Sequence, residues 1–421
     1  MLSQVRTNGT RANAVRNRPA ERWICPLVQV ATLCWFLMQG PSAQAQAFSV
    51  IENFNGSLGQ NPTGPLVADQ SGNLYGSDQT GGTFGYGSLY ELPVGGGEKS
   101  LYSFTGGSLG ANPYFTALTR GTDGNFYGVT PYGGNLSNDC VSLGCGVVFR
   151  VTQSGKEKVL YSFQGGSDGS FPFSQLIAGE NGKFYGVAGN GGGSSSSCEF
   201  GCGVVYELNA AGKETVLYSF TGGSDGADPG PGLIRDSQGN LYGTTGGGGV
   251  YGGGTVFMLD PAGDETTLYS FTGGADGFSP LFLIRDAEGN LYGNTAGGGD
   301  LSCTLGCGVL FEIDSSGDES TIYTFTNGAG GYYPLGPMVR DPDGNLYGTA
   351  NQGGSTSNEC PAGCGVVFRV GPSGAETVLH GFVGTDGAYP FGGLLRFNNY
   401  LYGTTTSGGT GSSGTAYKIT P

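Results

Sequence analysis

Few residues in this chain are of types that carry chemistry. Of ten cysteines, Cys25 and Cys34 lie near the N-terminus, and the other eight fall in four close pairs, Cys140/Cys145, Cys198/Cys202, Cys303/Cys307 and Cys360/Cys364, each second cysteine opening a C-G-V-V/L-F/Y run. Thiols at this spacing either oxidise to short disulfides or hold a soft metal ion. Four thiolates from two adjacent loops would make a zinc site, and that is the alternative. The even count, the fixed position in a repeating pattern and an export-type leader favour four disulfides. A bridge closing so short a loop stabilises by at most roughly 2 kcal/mol, so its expected job is local, holding a loop in one shape.

Other signals are weaker. G-x-S-x-G occurs as GGSLG at Gly106–Gly110 and as GGSDG at Gly165–Gly169 and Gly222–Gly226. A serine nucleophile needs a strand-turn-helix elbow and a histidine base. The only histidine, His380, stands where other copies of the repeat carry tyrosine (LHGF against LYSF) and reads as a packed structural residue. DPDGN at Asp341–Asn345 and its relatives lack the ligand set of a calcium loop and read as hairpin turns. No catalytic residue, metal site or cofactor is therefore expected. The binding candidates are the linker aspartates Asp168, Asp225, Asp276 and Asp386, together with Tyr132, Tyr251, Tyr332, Tyr333 and Tyr389 in the same links. Turn formation is the competing role for Asp-Gly, and the tyrosines could stack on sugars.

These residues are positioned by a repeat. The tripeptide L/F-Y-G recurs at Tyr75, Tyr127, Tyr185, Tyr242, Tyr292, Tyr347 and Tyr402, at intervals of 50–58 residues. Each copy holds four short β-branched or aromatic runs separated by Gly, Asp, Asn and Pro, which read as strands and turns. In the fourth copy they are Pro231–Asp236, Asn240–Thr245, Gly254–Leu259 and Glu265–Phe271, strands a to d. A linker with a recurrent proline, TGGADGFSP after the fourth copy, leads on to the next. The expected fold is all-β: a seven-bladed β-propeller with four-stranded antiparallel blades. A parallel β-helix is the alternative, but its rungs are much shorter. Phe48–Phe54 (FSVIENF) aligns with strand d, whereas the chain ends on a strand c, so the N-terminal strand should close the last blade and leave no open edge. The LYG glycine should give room to an aromatic ring from a neighbouring blade, the phenylalanine ending strand d being the candidate.

The unit GNLYGTT…GTVFML…ETTLYSFTGG resembles the bacterial choice-of-anchor tandem repeat (GloVer repeat) family over Phe48–Pro421. That resemblance implies an exported protein, often anchored at the cell surface, with no established activity. Trp23 and Trp35 both lie in the leader, so the repeats do not resemble the Trp-dependent WD, kelch or quinoprotein propellers.

Residues 1–47 read as an export signal: five arginines, an apolar stretch Trp23–Met38, then PSAQAQA with small-residue exits after Ala45 or Ala47. An uncleaved membrane anchor is the alternative. Residues 48–421 form the propeller, with no span of their own and no visible C-terminal anchor, so secretion, the periplasm or the cell surface is expected. The formal charge is −15, and removing the leader, five Arg and one Glu, leaves −19. Such a surface repels nucleic acid and anionic lipid. The expectation is an exported, non-enzymatic, monomeric propeller that binds a protein or carbohydrate through its loops. The alternatives are a carbohydrate-active hydrolase or lyase on the same scaffold and a purely structural envelope protein.

Overall fold

Every β-branched run in the repeats is cut short by glycine, proline or an Asx turn, so strands stay short and fold back at once. The computed structural model describes residues 47–421 apart from 116, 137–139, 141–142 and 194–197. The export signal expected at 1–47 lies, but for Ala47, outside the described residues. The strands form seven antiparallel sheets, the blades of a propeller. Blade 4 shows the pattern: strand a in two pieces, Ala227–Pro229 and Ile234–Arg235, then b at Leu241–Gly247, c at Thr255–Leu259 and d at Glu265–Ser270. Strand a thus begins inside the stretch that the sequence suggested was linker. The recurrent proline belongs to it, where an edge position tolerates a missing donor.

Strand a is innermost. Its residues meet across the axis: Phe115 of blade 2 lies 4.4 Å from Phe391 of blade 7 and 6.5 Å from Phe282 of blade 5, centroid to centroid. These rings plug the centre.

The N-terminal strand Phe48–Asn53 pairs with Thr415–Ile419, with Phe48 opposite Ile419 and Asn53 opposite Thr415, and completes blade 7 as its strand d. It even carries the bulge at Ile51 that strand d carries in other blades, as at Leu268 in blade 4.

One expectation needs correcting. The ring over each LYG glycine comes from strand c of the same blade: Gly243 is paired with Phe257, and a Cβ there would lie 2.5 Å from that ring. The phenylalanine ending strand d packs instead edge-on against the strand c aromatic of the next blade. Phe220 meets Phe257 and Phe271 meets Phe311, at 5.1 and 5.0 Å. Phe54 meets Tyr90 across the closing boundary at 5.0 Å, with the rings tilted at 55°. Small glycine lets the c aromatic lie flat, which leaves its edge available to the neighbouring blade.

Candidate functional site

Alternating strand directions put the d–a and b–c links on one face, and backbone hydrogen bonds tie them together. Gly192 donates to Gly166, Gly249 to Gly223 and Gly354 to Gly328, at 2.8–3.0 Å. The four cysteine pairs lie in b–c links of this face as disulfides, with Cα separations of 5.0–5.2 Å. Their sulfurs are joined within a blade rather than shared between blades.

Each second cysteine precedes the glycine that leads into strand c, and its carbonyl accepts a hydrogen bond from the next blade. Phe171, Asp228, Tyr333 and Tyr389 donate their N–H groups to Cys145, Cys202, Cys307 and Cys364 at 2.9–3.0 Å. Where a blade lacks cysteine, Ser413, Tyr86 and Gly253 accept in the same way from Asn61, Asn112 and Ser279 at 2.8–3.1 Å. The cysteine pairs therefore fix the acceptors of an inter-blade seam.

The seven donors are the residues before the recurrent proline, and all have left-handed backbone, φ between 53° and 59°. A non-glycine residue there is strained by about 1–2 kcal/mol, and a following proline disfavours helical backbone further. The seam holds them. The proline ring of each blade rests on the glycine leading into strand c of the preceding blade, where a Cβ would come within 2.3–2.9 Å of it. Yet the strained residues themselves differ from copy to copy (Asn, Asn, Phe, Asp, Ser, Tyr, Tyr) and none is buried.

At the centre of this face a pocket of about 400 Å³ opens above the aromatic plug. Tyr114, Tyr389 and Phe391 provide rings, and Asn61, Gln79 and Asn351 provide amides. Thr63, Thr406 and Ser407 complete the lining. Burial raises the Tyr114 phenol above its ordinary value, so it stays neutral. Tyr389 is held at both ends by the blade 6 disulfide loop, its N–H on Cys364 and its hydroxyl on the Glu359 carbonyl at 3.4 Å.

The other residues singled out from sequence are not gathered there. Asp225 accepts from Tyr218 Oη at 3.1 Å and from Thr221 N at 2.7 Å, and Asp276 repeats this with Tyr269 and Thr272. Asp168 accepts from Tyr161 Oη at 2.7 Å. Asp386 meets His380 Nε2 at 2.8 Å, so His380 takes the place of the tyrosine hydroxyl. These aspartates fold their own turns. Tyr132 packs edge-on against Phe171, Tyr332 donates to the Ala362 carbonyl at 3.1 Å, and Tyr251 stands exposed at the tip of a blade 4 link. Tyr333 belongs to the strained ring. Of the pocket lining, sequence reasoning found only Tyr389 and missed Asn61, Thr63, Gln79, Tyr114, Asn351, Phe391, Thr406 and Ser407. A signal did exist: three residues after the LYG glycine the copies read Gln79, Pro131, Gly189, Gly246, Ala296, Asn351 and Thr406.

Among the described residues no group of three or more His, Cys, Asp or Glu is placed to hold a metal ion. No helix among them is long and apolar enough to cross a membrane.

The Gloeobacter/Verrucomicrobia repeat matches residues 41–202, 144–360 and 194–417. The chain belongs to this family. Its repeat is thus the blade described above, carried around a closed ring. No curated protein matches this Gloeobacter/Verrucomicrobia repeat chain. Among solved structures, it is similar to the extracellular domain of a putative hybrid two-component system from B. thetaiotaomicron. The TM-score is 0.52 at 14% identity, over 89% of this chain and 41% of that one. The extracellular domain of a putative one-component system from the same organism gives 0.52 at 9% identity, over 89% and 40%. A puromycin-hydrolyzing peptidase from Mycobacterium tuberculosis gives 0.52 at 13%, over 83% and 50%. The chain spans about two-fifths of the two B. thetaiotaomicron chains, and likenesses this distant concern the fold alone.

Proposed function

We propose that this repeat protein is exported through a leader at residues 1–47. Residues 48–421 then act as a propeller that binds a ligand on its loop-rich face without transforming it. The observation that carries this reading is the ring of seven pre-proline residues. Their backbone is strained and identically held, their flanking proline and glycine do not vary, and their side chains vary and reach solvent. Strain maintained at partly exposed, variable positions on a rigid frame is the pattern of a binding surface. The basic lead and small-residue exits of the leader support export, and the four disulfides suit an oxidising compartment.

Binding is favoured over hydrolysis by the pocket lining. Glycoside hydrolysis needs two carboxylates flanking the bond, and the residues lining the central pocket are amides, hydroxyls and rings. The test applies the purified, disulfide-intact mature protein to glycan, peptide and lipid arrays, then maps the bound ligand by hydrogen exchange. Protection on the d–a and b–c links with the ligand recovered intact is the expected result. Protection on the opposite face, or release of reducing sugar, would overturn the reading.

A further inference from the structure

We infer that the central pocket between blades 6, 7 and 1 binds a neutral sugar residue, which rests on the reading of the loop-rich face as the ligand side. The first argument is a break in the repeat. Three residues after the LYG glycine, blades 2 to 5 carry Pro131, Gly189, Gly246 and Ala296, so the fold does not require a polar side chain there. Blades 6, 7 and 1, contiguous around the ring, carry Asn351, Thr406 and Gln79 instead, and all three line the pocket. The Thr406 hydroxyl already donates to the Tyr389 carbonyl at 3.1 Å, so it is the Asn351 and Gln79 amides, set in one sector of a ring that folds without them, that point to a ligand.

The second argument is chemical. An amide presents a donor and an acceptor side by side, matching neighbouring sugar hydroxyls that each donate and accept. Tyr389, Tyr114 and Phe391 offer ring surface for the apolar face of a pyranose. The lining carries no side chain charged at neutral pH, so a carboxylated, sulfated or cationic ligand would lose hydration with nothing to replace it. About 400 Å³ suits a small ligand such as a single sugar residue.

The test is a glycan array of neutral, uronic, sialylated and sulfated chains, followed by titration calorimetry on the mature protein and on Asn351→Ala and Gln79→Gly. Both substitutions import residues that other blades already carry at that position, so melting temperatures should hold. The expected result is binding of neutral chains, weakened roughly tenfold by either substitution. Binding of charged glycans alone, or of neutral ones with no loss in the variants, overturns the sugar assignment. If hydrogen exchange still maps that ligand to the links, the loop-face reading survives. Retention of no ligand by that face overturns both.

Discussion

Tyr323 of blade 5 donates its hydroxyl to Glu376 of blade 6 at 2.9 Å, and Tyr269 of blade 4 lies 3.4 Å from Glu319 of blade 5. The glutamate that opens strand d is therefore wedged beside the preceding blade. Burial raises Glu98, Glu157 and Glu214 to about 7 from an ordinary 4.5, and it raises Glu265, Glu319 and Glu376 as well. At the seventh position stands Phe48, and there His380 replaces the tyrosine and stacks on it at 3.6 Å. The folded chain holds these glutamate protons to higher pH than the unfolded chain does. Their contribution is complete below about 4.5 and is lost as pH rises through 7. The turn aspartates Asp69, Asp236, Asp286 and Asp341 have the opposite sign. Burial opposes their ionisation, but hydrogen bonds from asparagine and from the LYG tyrosine outweigh it and lower them, so their contribution disappears only as pH falls below about 3.8. The protein should therefore melt at a higher temperature at pH 5 than at pH 8, and replacing Glu98, Glu157 and Glu214 by Gln should flatten that difference. A melting temperature that rises between pH 5 and pH 8 contradicts the assignment.

Among the elements, the disulfide loop is the one that links scaffold to site. In blade 6 it fixes Tyr389 through the Cys364 carbonyl and the Glu359 carbonyl, and in blade 3 it fixes Asp228 through Cys202. Closing so few residues adds at most roughly 2 kcal/mol, so removing one bridge should leave the ring folded. Paired Cys360→Ser and Cys364→Ser substitutions should speed hydrogen exchange at the Tyr389 amide and leave the Asp228 amide unchanged. Equal exchange at both would mean that the bridges do not position the seam. The cysteine positions, the seven LYG units and the spare strand were legible in the sequence because they recur, and recurrence needs no third dimension. Gln79, Asn351 and Thr406 were harder to single out, because they stand out only by differing from their counterparts and by lining one pocket formed by three neighbouring blades, which no local pattern reveals. The ring over the LYG glycine was misassigned for a related reason. Two aromatics per copy were available, and only the register of b against c shows that Phe257, not Phe271, lies opposite Gly243.

For the molecule as a whole, the closing boundary differs from the others in quality. In blades 2, 3 and 6 the glycine of the c–d turn rests on a carbonyl of the preceding strand d, positions for a Cβ on Gly155, Gly212 and Gly374 lying 2.3–2.8 Å from Leu101 O, Leu160 O and Ile322 O, whereas Gly317 of blade 5 meets nothing within 4 Å. In blade 1 that turn is PVGGG, Gly96 meets nothing within 4 Å, and Pro93 lacks the N–H that Asn209 and Asp260 donate in their turns. A groove of about 460 Å³ remains, bounded by Ile51, Leu74, Leu92, Val94, Phe397 and Tyr402. The closing contact thus depends heavily on Phe54, fully buried against Tyr90, and on the ladder from Phe48 to Asn53. Phe54→Ala should cost about 3–5 kcal/mol, more than its area alone implies, because the cavity left against Tyr90 collapses only in part. Deleting residues 47–54 should go further, exposing the edge of Thr415–Ile419 to pairing with other chains. Size-exclusion chromatography of the truncated protein should show oligomers, and adding a synthetic peptide of residues 47–55 should restore the monomer by refilling strand d. A truncated protein that elutes as a monomer with an unchanged melting temperature would show that the ring is held by its other six boundaries alone.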